Sequence, residues 1–153
     1  MPVKQSAGLL MYRKREVLGL LLVHPGGPFW AKKDLGAWTV PKGEVNENED
    51  LLAAAKREFQ EETGFKAEGT FQALGTVKQK NGKLVTAWAF EGDCDADAVR
   101  SNLCSIEWPP RSKRYIKIPE VDRGAWFSFM EAQAKILPAQ LPLLVALLNL
   151  VGD

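Results

Sequence analysis

The chain has few cysteines, no long apolar run and almost no net charge, and each shortage excludes a class of protein. Its two cysteines, Cys94 and Cys104, are too few for a small disulfide-stabilised secreted domain and show no metal-binding spacing, so we predict that both are reduced. The longest strongly apolar stretch, residues 141–148, is too short to cross a bilayer, which takes about 20 residues. Residues 1–5 lack the apolar segment of a signal peptide. We therefore expect a cytoplasmic protein with no membrane partner.

The net charge of +1, from 20 basic and 19 acidic residues, provides no global field that would attract DNA. No DNA partner is therefore indicated, and any preference for an anionic substrate must arise from a local cluster. The length of 153 residues suits a single domain over residues 1–153, and the 46% apolar and 25% charged residues are typical of soluble globular domains.

Apolar runs of strand length, bounded by turn residues, predict most of the β-structure. The predicted strands cover residues 6–12, 17–23, 37–40, 70–78, 83–91, 115–118 and 125–129, whereas 93–110 has no clear assignment. Asn81-Gly82 predicts a hairpin turn between the fourth and fifth strands. Two helices are predicted at the end of the chain, over 129–137 and 140–151. Strands followed by helices, with one more helix in the middle, indicate an α/β or α+β sandwich.

The middle helix is predicted to begin after Asn48, as N-cap, and to end at Gly64 in the left-handed C′ conformation. An apolar stripe on this helix, expected to dock on the sheet, consists of Leu52, Ala55 and Phe59. Three carboxylates three and four residues apart share the neighbouring side of the helix, namely Glu58, Glu61 and Glu62. Like charges packed this closely repel one another, and a hard divalent cation such as Mg²⁺ relieves that repulsion.

Segment 43–65, GEVNENEDLLAAAKREFQEETGF, resembles the Nudix box, G-x5-E-x7-R-E-U-x-E-E-x-G-U, where U is a bulky apolar residue. Every fixed position of the box is matched, by Gly43, Glu49, Arg57, Glu58, Phe59, Glu61, Glu62, Gly64 and Phe65. A solvated acidic helix face is the ordinary explanation of a lone glutamate cluster. It does not account for the glycines, Glu49 and Arg57 at these spacings.

The resemblance implies a Nudix fold, an α/β/α sandwich around a mixed sheet. It also implies hydrolysis of a phosphoanhydride bond in a nucleoside diphosphate linked to some moiety X, with Mg²⁺, or Mn²⁺, as cofactor. By position, Glu58, Glu61 and Glu62 are the implied metal ligands, and the last two are also implied to be catalytic. Arg57 and Glu49 are implied to orient them, and Arg57 faces Glu61 at i,i+4, where an ion pair is expected. The backbone carbonyl near Lys42 is a further implied ligand.

The base in Nudix enzymes often lies on a later loop, and the resemblance makes Glu120 the catalytic candidate. It precedes Trp126 by six residues, a spacing similar to that loop in relatives that hydrolyse deoxynucleoside triphosphates. A surface carboxylate beside a turn is the alternative, and the sequence leaves both open.

Two basic and aromatic clusters, residues 24–33 and 108–117, combine a ring that can stack on a base with cations that can meet phosphates. The first supplies the predicted substrate-binding residues Trp30, Lys32 and Lys33, to which Lys42 is added. In the second, the weaker candidates are Arg111, Lys113 and Arg114. The lone histidine, His24, is expected to support a turn and not to act as a base.

The stretch 38–43, WTVPKG, is similar to the segment that precedes the box in diadenosine tetraphosphate hydrolases, which favours a dinucleoside polyphosphate or a nucleoside triphosphate. Two family markers that lie after the box are absent and do not support this substrate class. Lys80 stands where ADP-ribose enzymes carry proline, and Asn81 stands where dinucleoside polyphosphate enzymes carry tyrosine. The rival function is a catalytically silent Nudix module that binds a nucleotide or protein, although such modules usually lose box glutamates. An RNA-cap hydrolase would need a larger basic surface.

The helix predicted over 140–151 is apolar around most of its circumference, more than one buried face requires. We expect it to pack under the sheet, opposite the box helix, with Leu144 facing inward. The alternative is a homodimer contact, with Leu143, Leu147 or Leu150 facing outward. The sequence therefore leaves monomer and homodimer open.

Overall fold

The computed structural model describes residues 4–152 of the chain. Its strands and α-helices follow one another as β1 (Gln5–Lys14), β2 (Leu18–Pro25), β3 (Lys42–Glu44), α1 (Leu51–Thr63), β4 (Gln72–Lys78), β5 (Leu84–Glu91), β6 (Leu103–Glu107), β7 (Tyr115–Pro119), β8 (Val121–Phe127), α2 (Phe129–Lys135) and α3 (Leu141–Val151). Single turns of 3₁₀ helix occupy Ala96–Ala98 and Pro138–Gln140. No helix within this part of the chain is long and apolar enough to cross a membrane.

The central sheet is mixed, with the order β4-β5-β1-β2-β8 and with β3 paired to β1. β1 runs parallel to β5 and antiparallel to β2 and β3. The beginning of β1 pairs with β3, from Ser6 opposite Glu44 to Gly8 opposite Lys42, whereas its end pairs with β2. The remaining two strands, β6 and β7, form a separate antiparallel hairpin. This register brings the segment that precedes α1 against the first residues of the chain's longest strand.

Helices cover both faces of the central sheet, as the predicted α/β/α sandwich requires. Successive side chains of a strand point to opposite faces, so β1 is buried on both sides. Leu9 and Met11 pack with Phe59 of α1, whereas Leu10 and Tyr12 lie in the core beneath α2 and α3. The apolar stripe predicted on α1 is therefore the surface that docks this helix on the sheet.

The N-terminus of α1 differs from the prediction, because the N-cap is Asp50 and not Asn48. The Asp50 carboxylate accepts a hydrogen bond from Ala53 N at 3.1 Å, which satisfies an otherwise free donor of the first turn. Asn48 lies two residues earlier with φ of 62°, a left-handed conformation that Asn adopts more readily than most residues. Gly64 ends the helix at φ of 83°, as predicted.

Among the β features, one prediction is corrected, one is confirmed, and one segment without an assignment gains a strand. Residues 37–40 form only isolated bridges, between Val23 and Thr39 and between Trp38 and Ile136, and the strand begins later at Lys42. The predicted hairpin turn between β4 and β5 is confirmed: residues 79–83 connect the two strands, and Gln79 N donates to Lys83 O at 2.9 Å around Asn81 and Gly82. The unassigned segment 93–110 contains β6, which pairs with β7. The sequence did not indicate this strand because LCSIE has no continuous apolar run, and none of its side chains is buried.

The C-terminal helix packs under the sheet, as expected, with Leu144 fully buried. Leu143 and Leu147 are also buried, so their placement on an outward face was wrong. Leu147 follows Leu143 by four residues and Leu144 by three, the spacings at which helical residues share a side. The exposed apolar residues of this helix are Val145 and Leu150, at 42% and 46% exposure.

Candidate active site

The acidic cluster of α1 sits at the edge of the face that docks on the sheet. Because Phe59 and Ala55 are anchored in the core, the helix rotation is set and Glu58 and Glu62, one turn apart, point inward. Both are buried, with exposures of 9% and 8%, whereas Glu61 is half-buried. The packing of the apolar stripe thus forces two carboxylates out of bulk water.

β3 lies directly against these carboxylates. The backbone N–H of Lys42 donates to Glu62 Oε1 at 3.0 Å. The backbone of Gly43 passes so close to Glu58 that a Cβ at position 43 would lie 1.9 Å from Glu58 Oε2. The glycine that begins the motif is therefore required by close approach, because no other residue leaves room for the Glu58 carboxylate.

Arg57 holds the cluster together from the solvent side. Its Nε and Nη2 donate to the two carboxylate oxygens of Glu49, each at 2.9 Å, in a bidentate pair. Its Nη1 donates at 2.7 Å to Glu58 and at 2.7 Å to Glu61, so the predicted i,i+4 ion pair forms. Nη2 also donates to the carbonyl of Glu44, which connects α1 to β3. The Arg57 guanidinium lowers the pKa of Glu49 to about 2.

Glu120 joins the cluster from the short link between β7 and β8. Its backbone N–H donates to Asn102 O, and its carbonyl accepts from Gly26 N, both at 3.0 Å. One carboxylate oxygen each from Glu58, Glu62 and Glu120 lies within 4.8 Å of the others. The fold thus brings the exposed Glu120 to the buried Glu62, which lies 58 positions earlier in the sequence.

The electrostatics of the cluster favour a bound cation. Burial raises the pKa of Glu62 to about 8, and it also raises the pKa values of Glu58 and Glu120, with neighbouring carboxylates adding to each shift. Three hard oxygen donors that resist ionisation beside one another are suited to a divalent cation, which compensates their charge. The donor set therefore fits a Mg²⁺-type ion.

The carboxylates line an open cavity of about 450 Å³ together with two cations, Lys42 and Lys83. Of the residues predicted from the sequence, this cavity brings together Glu58, Glu61, Glu62, Glu120 and Lys42, with Arg57 behind them. Ser6, Glu44 and Lys83 also line it and were not predicted. They come from β1, β3 and the β4–β5 connection, and only the sheet register could have indicated them.

The predicted substrate-binding residues of the first basic cluster lie elsewhere. Trp30 lines a separate groove, and Lys33 Nζ is held 3.7 Å from the centre of the Phe29 ring, while Lys32 is exposed. None of the three lines the carboxylate cavity. His24 is buried, with Nδ1 3.0 Å from Asp122 Oδ1 and Nε2 2.6 Å from the carbonyl of Lys33. It supports the loop, as expected.

Known proteins resemble this chain in sequence and in fold. The family model described as NUDIX domain matches residues 2–147. The chain is 26% identical over 133 residues to Nudix hydrolase 7 of Arabidopsis thaliana, covering 82% of this chain and 45% of that protein. It is 43% identical over 60 residues to an asymmetrical bis(5'-nucleosyl)-tetraphosphatase of Rattus norvegicus, covering 35% of this chain and 41% of that protein. The matched regions thus span less than half the length of these relatives.

Among solved structures, an Ap4A hydrolase of C. elegans in a binary complex superimposes with a TM-score of 0.69. Its sequence identity is 24%, and the match covers 95% of this chain and 97% of that one. At this identity the likeness shows the fold, which is the one that the sequence predicted.

Proposed function

The chain belongs to the Nudix family, and on this premise we propose that it is a pyrophosphohydrolase that cleaves a phosphoanhydride bond in a nucleoside diphosphate derivative. The observation that carries the proposal is the convergence of the Glu58, Glu62 and Glu120 carboxylates in one open cavity with the ammonium groups of Lys42 and Lys83. Carboxylates of this kind hold a cation, and lysines beside them neutralise phosphate oxygens.

The proposed cofactor is Mg²⁺, with Mn²⁺ as a substitute. Glu58 and Glu62 are its proposed central ligands, and Glu61 completes the set from the outer edge of the cavity, where Arg57 holds it. The cation, when bound, supplies charge neutralisation for the phosphoanhydride as it breaks. By resemblance to the family, the backbone carbonyl near Lys42 is a further proposed ligand, and the Lys42 N–H holds this part of β3 beside Glu62.

Glu120 is the proposed general base. It lines the cavity, and burial and the nearby Glu61 raise the pKa of its carboxyl, which brings it closer to the range useful for proton transfer near neutral pH. In this proposal its carboxylate accepts a proton from the attacking water. Arg57 acts as a positioning residue, since it contacts Glu49, Glu58 and Glu61 and holds them in one arrangement.

The proposed substrate is a dinucleoside polyphosphate or a nucleoside triphosphate. The name of the rat relative supports the first class, and residues 38–43 share the pattern typical of diadenosine tetraphosphate hydrolases. Lys42 and Lys83 are placed to bind the phosphates to be cleaved. Trp30, Lys32 and Lys33 are proposed to bind substrate beyond this cavity.

The experiment that tests the function is a panel of nucleotides incubated with the protein and Mg²⁺, with products separated by chromatography. Dinucleoside polyphosphates, nucleoside triphosphates, ADP-ribose and capped RNA form the panel, and the Glu58→Gln variant serves as the control for contaminating activity. We expect cleavage at a phosphoanhydride by the wild-type protein and none by the variant. Nucleotide binding without cleavage of any member would identify a silent binding module instead.

A further inference from the structure

The buried amide of Gln140 lies outside the carboxylate cavity but contacts both segments that carry the cavity's lysines, Lys42 and Lys83. Gln140 is the last residue of the 3₁₀ turn before α3 and is fully buried. Burial of an amide costs free energy unless its hydrogen bonds are made, so its partners show what this side chain holds in place. They belong to the segment that precedes β3 and to the β4–β5 connection.

The oxygen of the amide holds the segment that leads into β3. Gln140 Oε1 accepts from Val40 N at 3.0 Å. Val40 lies two residues before Lys42, and Pro41 between them has a φ that is fixed by its ring. Because this short connection has little freedom, a shift of Val40 would also move Lys42 and the N–H that it donates to Glu62.

The Gln140 side chain replaces a backbone partner at the point where a row of backbone hydrogen bonds ends. Trp38 N donates to Lys135 O at 2.9 Å, and Trp38 O accepts from Leu137 N at 2.8 Å. In an extended chain the N–H groups alternate between its two sides, so the next donor on this side is Val40 N. After Leu137 the chain turns into the 3₁₀ helix, and Gln140 Oε1 meets Val40 N instead of a backbone carbonyl. The side chain thus extends the pairing of this segment to within two residues of the cavity.

The nitrogen of the amide holds the β4–β5 connection. Gln140 Nε2 donates to Gln79 Oε1 at 3.1 Å, and Gln79 N donates to Lys83 O at 2.9 Å. Lys83 lines the cavity, where its Nζ lies 3.3 Å from Glu44 Oε1. Gln79 therefore connects the buried amide to the second lysine of the cavity.

The amide of Gln140 can take only one orientation. The backbone N–H of Val40 can only donate, so the amide oxygen must face it and the NH₂ group must face Gln79. The second N–H of this group donates to Thr39 Oγ1 at 2.9 Å, and the Thr39 hydroxyl donates to Val40 O. Both hydrogens and the oxygen of the amide are thus bonded within the protein, without competition from bulk water.

We propose that Gln140 is a positioning residue of the active site, whose amide fixes the segments of Lys42 and Lys83 relative to one another. The phosphates of a nucleoside diphosphate are a fixed distance apart, so two cations that bind them must keep a matching separation. The inference rests on the proposed function for the role of the two lysines. It goes beyond that function by assigning their separation to a residue that does not line the cavity.

The first test is binding of α,β-methylene-ADP in the presence of Mg²⁺, measured by isothermal titration calorimetry. A CH₂ group replaces the bridging oxygen of this analogue, so binding is separated from hydrolysis. Gln140→Met keeps the length of the side chain and removes its hydrogen bonds. We expect this variant to bind about tenfold more weakly or worse, because small displacements of binding groups are costly.

Ile136→Val is the matched control for a loss of stability. Ile136 is buried in the same α2–α3 connection, and its apolar side chain makes no hydrogen bond, so the change loosens packing only. This variant should bind the analogue as the wild type does. Circular dichroism verifies that both variants are folded.

The second test distinguishes positioning from a purely structural role. Gln79→Met removes only the link between the amide and Lys83. We expect it to weaken binding in the wild-type background but not in the Lys83→Met background, where there is no ammonium group to position. A general loss of stability would act equally in both backgrounds.

The third test needs no ligand. Hydrogen exchange of the Lys42 and Lys83 backbone amides, measured by NMR, should be faster in folded Gln140→Met than in the wild type. The amide of Leu10, in the middle of β1, reports global stability and should accelerate less.

The outcomes separate this proposal from the proposed function. Wild-type affinity of folded Gln140→Met would overturn the positioning role, and so would equal effects of Gln79→Met in the two backgrounds or equal acceleration of exchange at all three amides. If the wild-type protein binds no analogue, the proposed function is rejected, and the exchange of the two lysine amides alone decides the positioning role. Binding that depends on Gln140 in a protein that hydrolyses no phosphoanhydride would support the positioning role and reject the hydrolase.

Discussion

The Glu58 carboxylate fills the space that a side chain on Gly43 would need, since a Cβ on residue 43 would lie 1.9 Å from Glu58 Oε2. The contact joins the first position of the motif to the middle of α1 across the cleft between β3 and the helix. It explains why the site needs glycine at a position where the backbone conformation does not demand it. The proposed metal site requires the Glu58 carboxylate to be held in the cavity beside Gly43.

Gly43→Ala is therefore expected to displace the Glu58 carboxylate and to lower hydrolysis about tenfold or more, while the protein stays folded. The atoms that clash are at the end of the flexible Glu58 side chain. This side chain can move and relieve the clash, but its carboxylate then leaves the cavity. Gly92→Ala is the matched control, since its Cβ would meet nothing closer than the end of the Met11 side chain, at 3.2 Å. Equal activity of the two variants in steady-state assays would show that the placement of Glu58 does not matter.

Removal of divalent metal is expected to abolish hydrolysis. Without a cation, the carboxylates of the cavity repel both one another and the phosphates of the substrate. Dialysis against EDTA followed by assay should give no turnover, and addition of Mg²⁺ or Mn²⁺ should restore it. Full turnover in the chelator, with tightly bound metal excluded by elemental analysis, would contradict the mechanism.

Glu61→Gln and Glu62→Gln are each expected to lower kcat by about two orders of magnitude or more with folding retained, because the amide keeps the shape and removes the charge. Glu120→Gln should also lower kcat, because it removes the proposed general base. The control is Glu47→Gln, an exposed residue of the loop before α1, whose kcat should match the wild type. If all four variants behave alike, the metal and the base have been placed wrongly.

The pH dependence of thermal stability is expected to report the raised pKa of Glu62. In the metal-free protein its folded pKa is about 8, against 4.5 as the ordinary value. A raised carboxyl pKa means that the neutral form favours folding: its stabilisation is complete below pH 4.5 and is lost as pH rises through about 8. Thermal unfolding in EDTA should therefore show the Tm of Glu62→Gln exceeding that of the wild type by a few degrees at pH 8.5.

This difference in Tm should shrink toward zero near pH 4.5, where both side chains are neutral. Glu47→Gln should follow the wild type over the whole range, since residue 47 is exposed. A difference between Glu62→Gln and the wild type that is the same at both ends of the pH range would rule out titration of Glu62 as its cause.

Leu144→Asp is expected to unfold the protein, because an unpaired charge at a fully buried position costs several kcal/mol. Leu150→Asp should remain folded, since this side chain is 46% exposed. Circular dichroism and size-exclusion chromatography measure both. If the parent is a dimer and Leu150→Asp is a folded monomer, the outer face of α3 is an interface as well as a cover for the sheet.

The local sequence was sufficient for the parts of the site that lie on one helix. Glu58, Glu61 and Glu62 share a side because of helical periodicity, and Arg57 reaches Glu61 because i and i+4 are neighbours. The apolar run of β1 and the stripe of α1 likewise predicted the elements and the faces that they bury. These relationships need only a few consecutive residues and the geometry of a regular backbone.

Tertiary structure alone determined which other residues lie beside the carboxylates of α1. The sheet register brings Lys42 and Gly43 against α1 and places Lys83 in the cavity, and the β7–β8 link carries Glu120 to Glu62. The same packing separated Trp30 from the carboxylates and turned Leu143 and Leu147 into the core. Such contacts depend on strand pairing and on which way an all-apolar helix faces, and neither is encoded in the spacing of neighbouring residues.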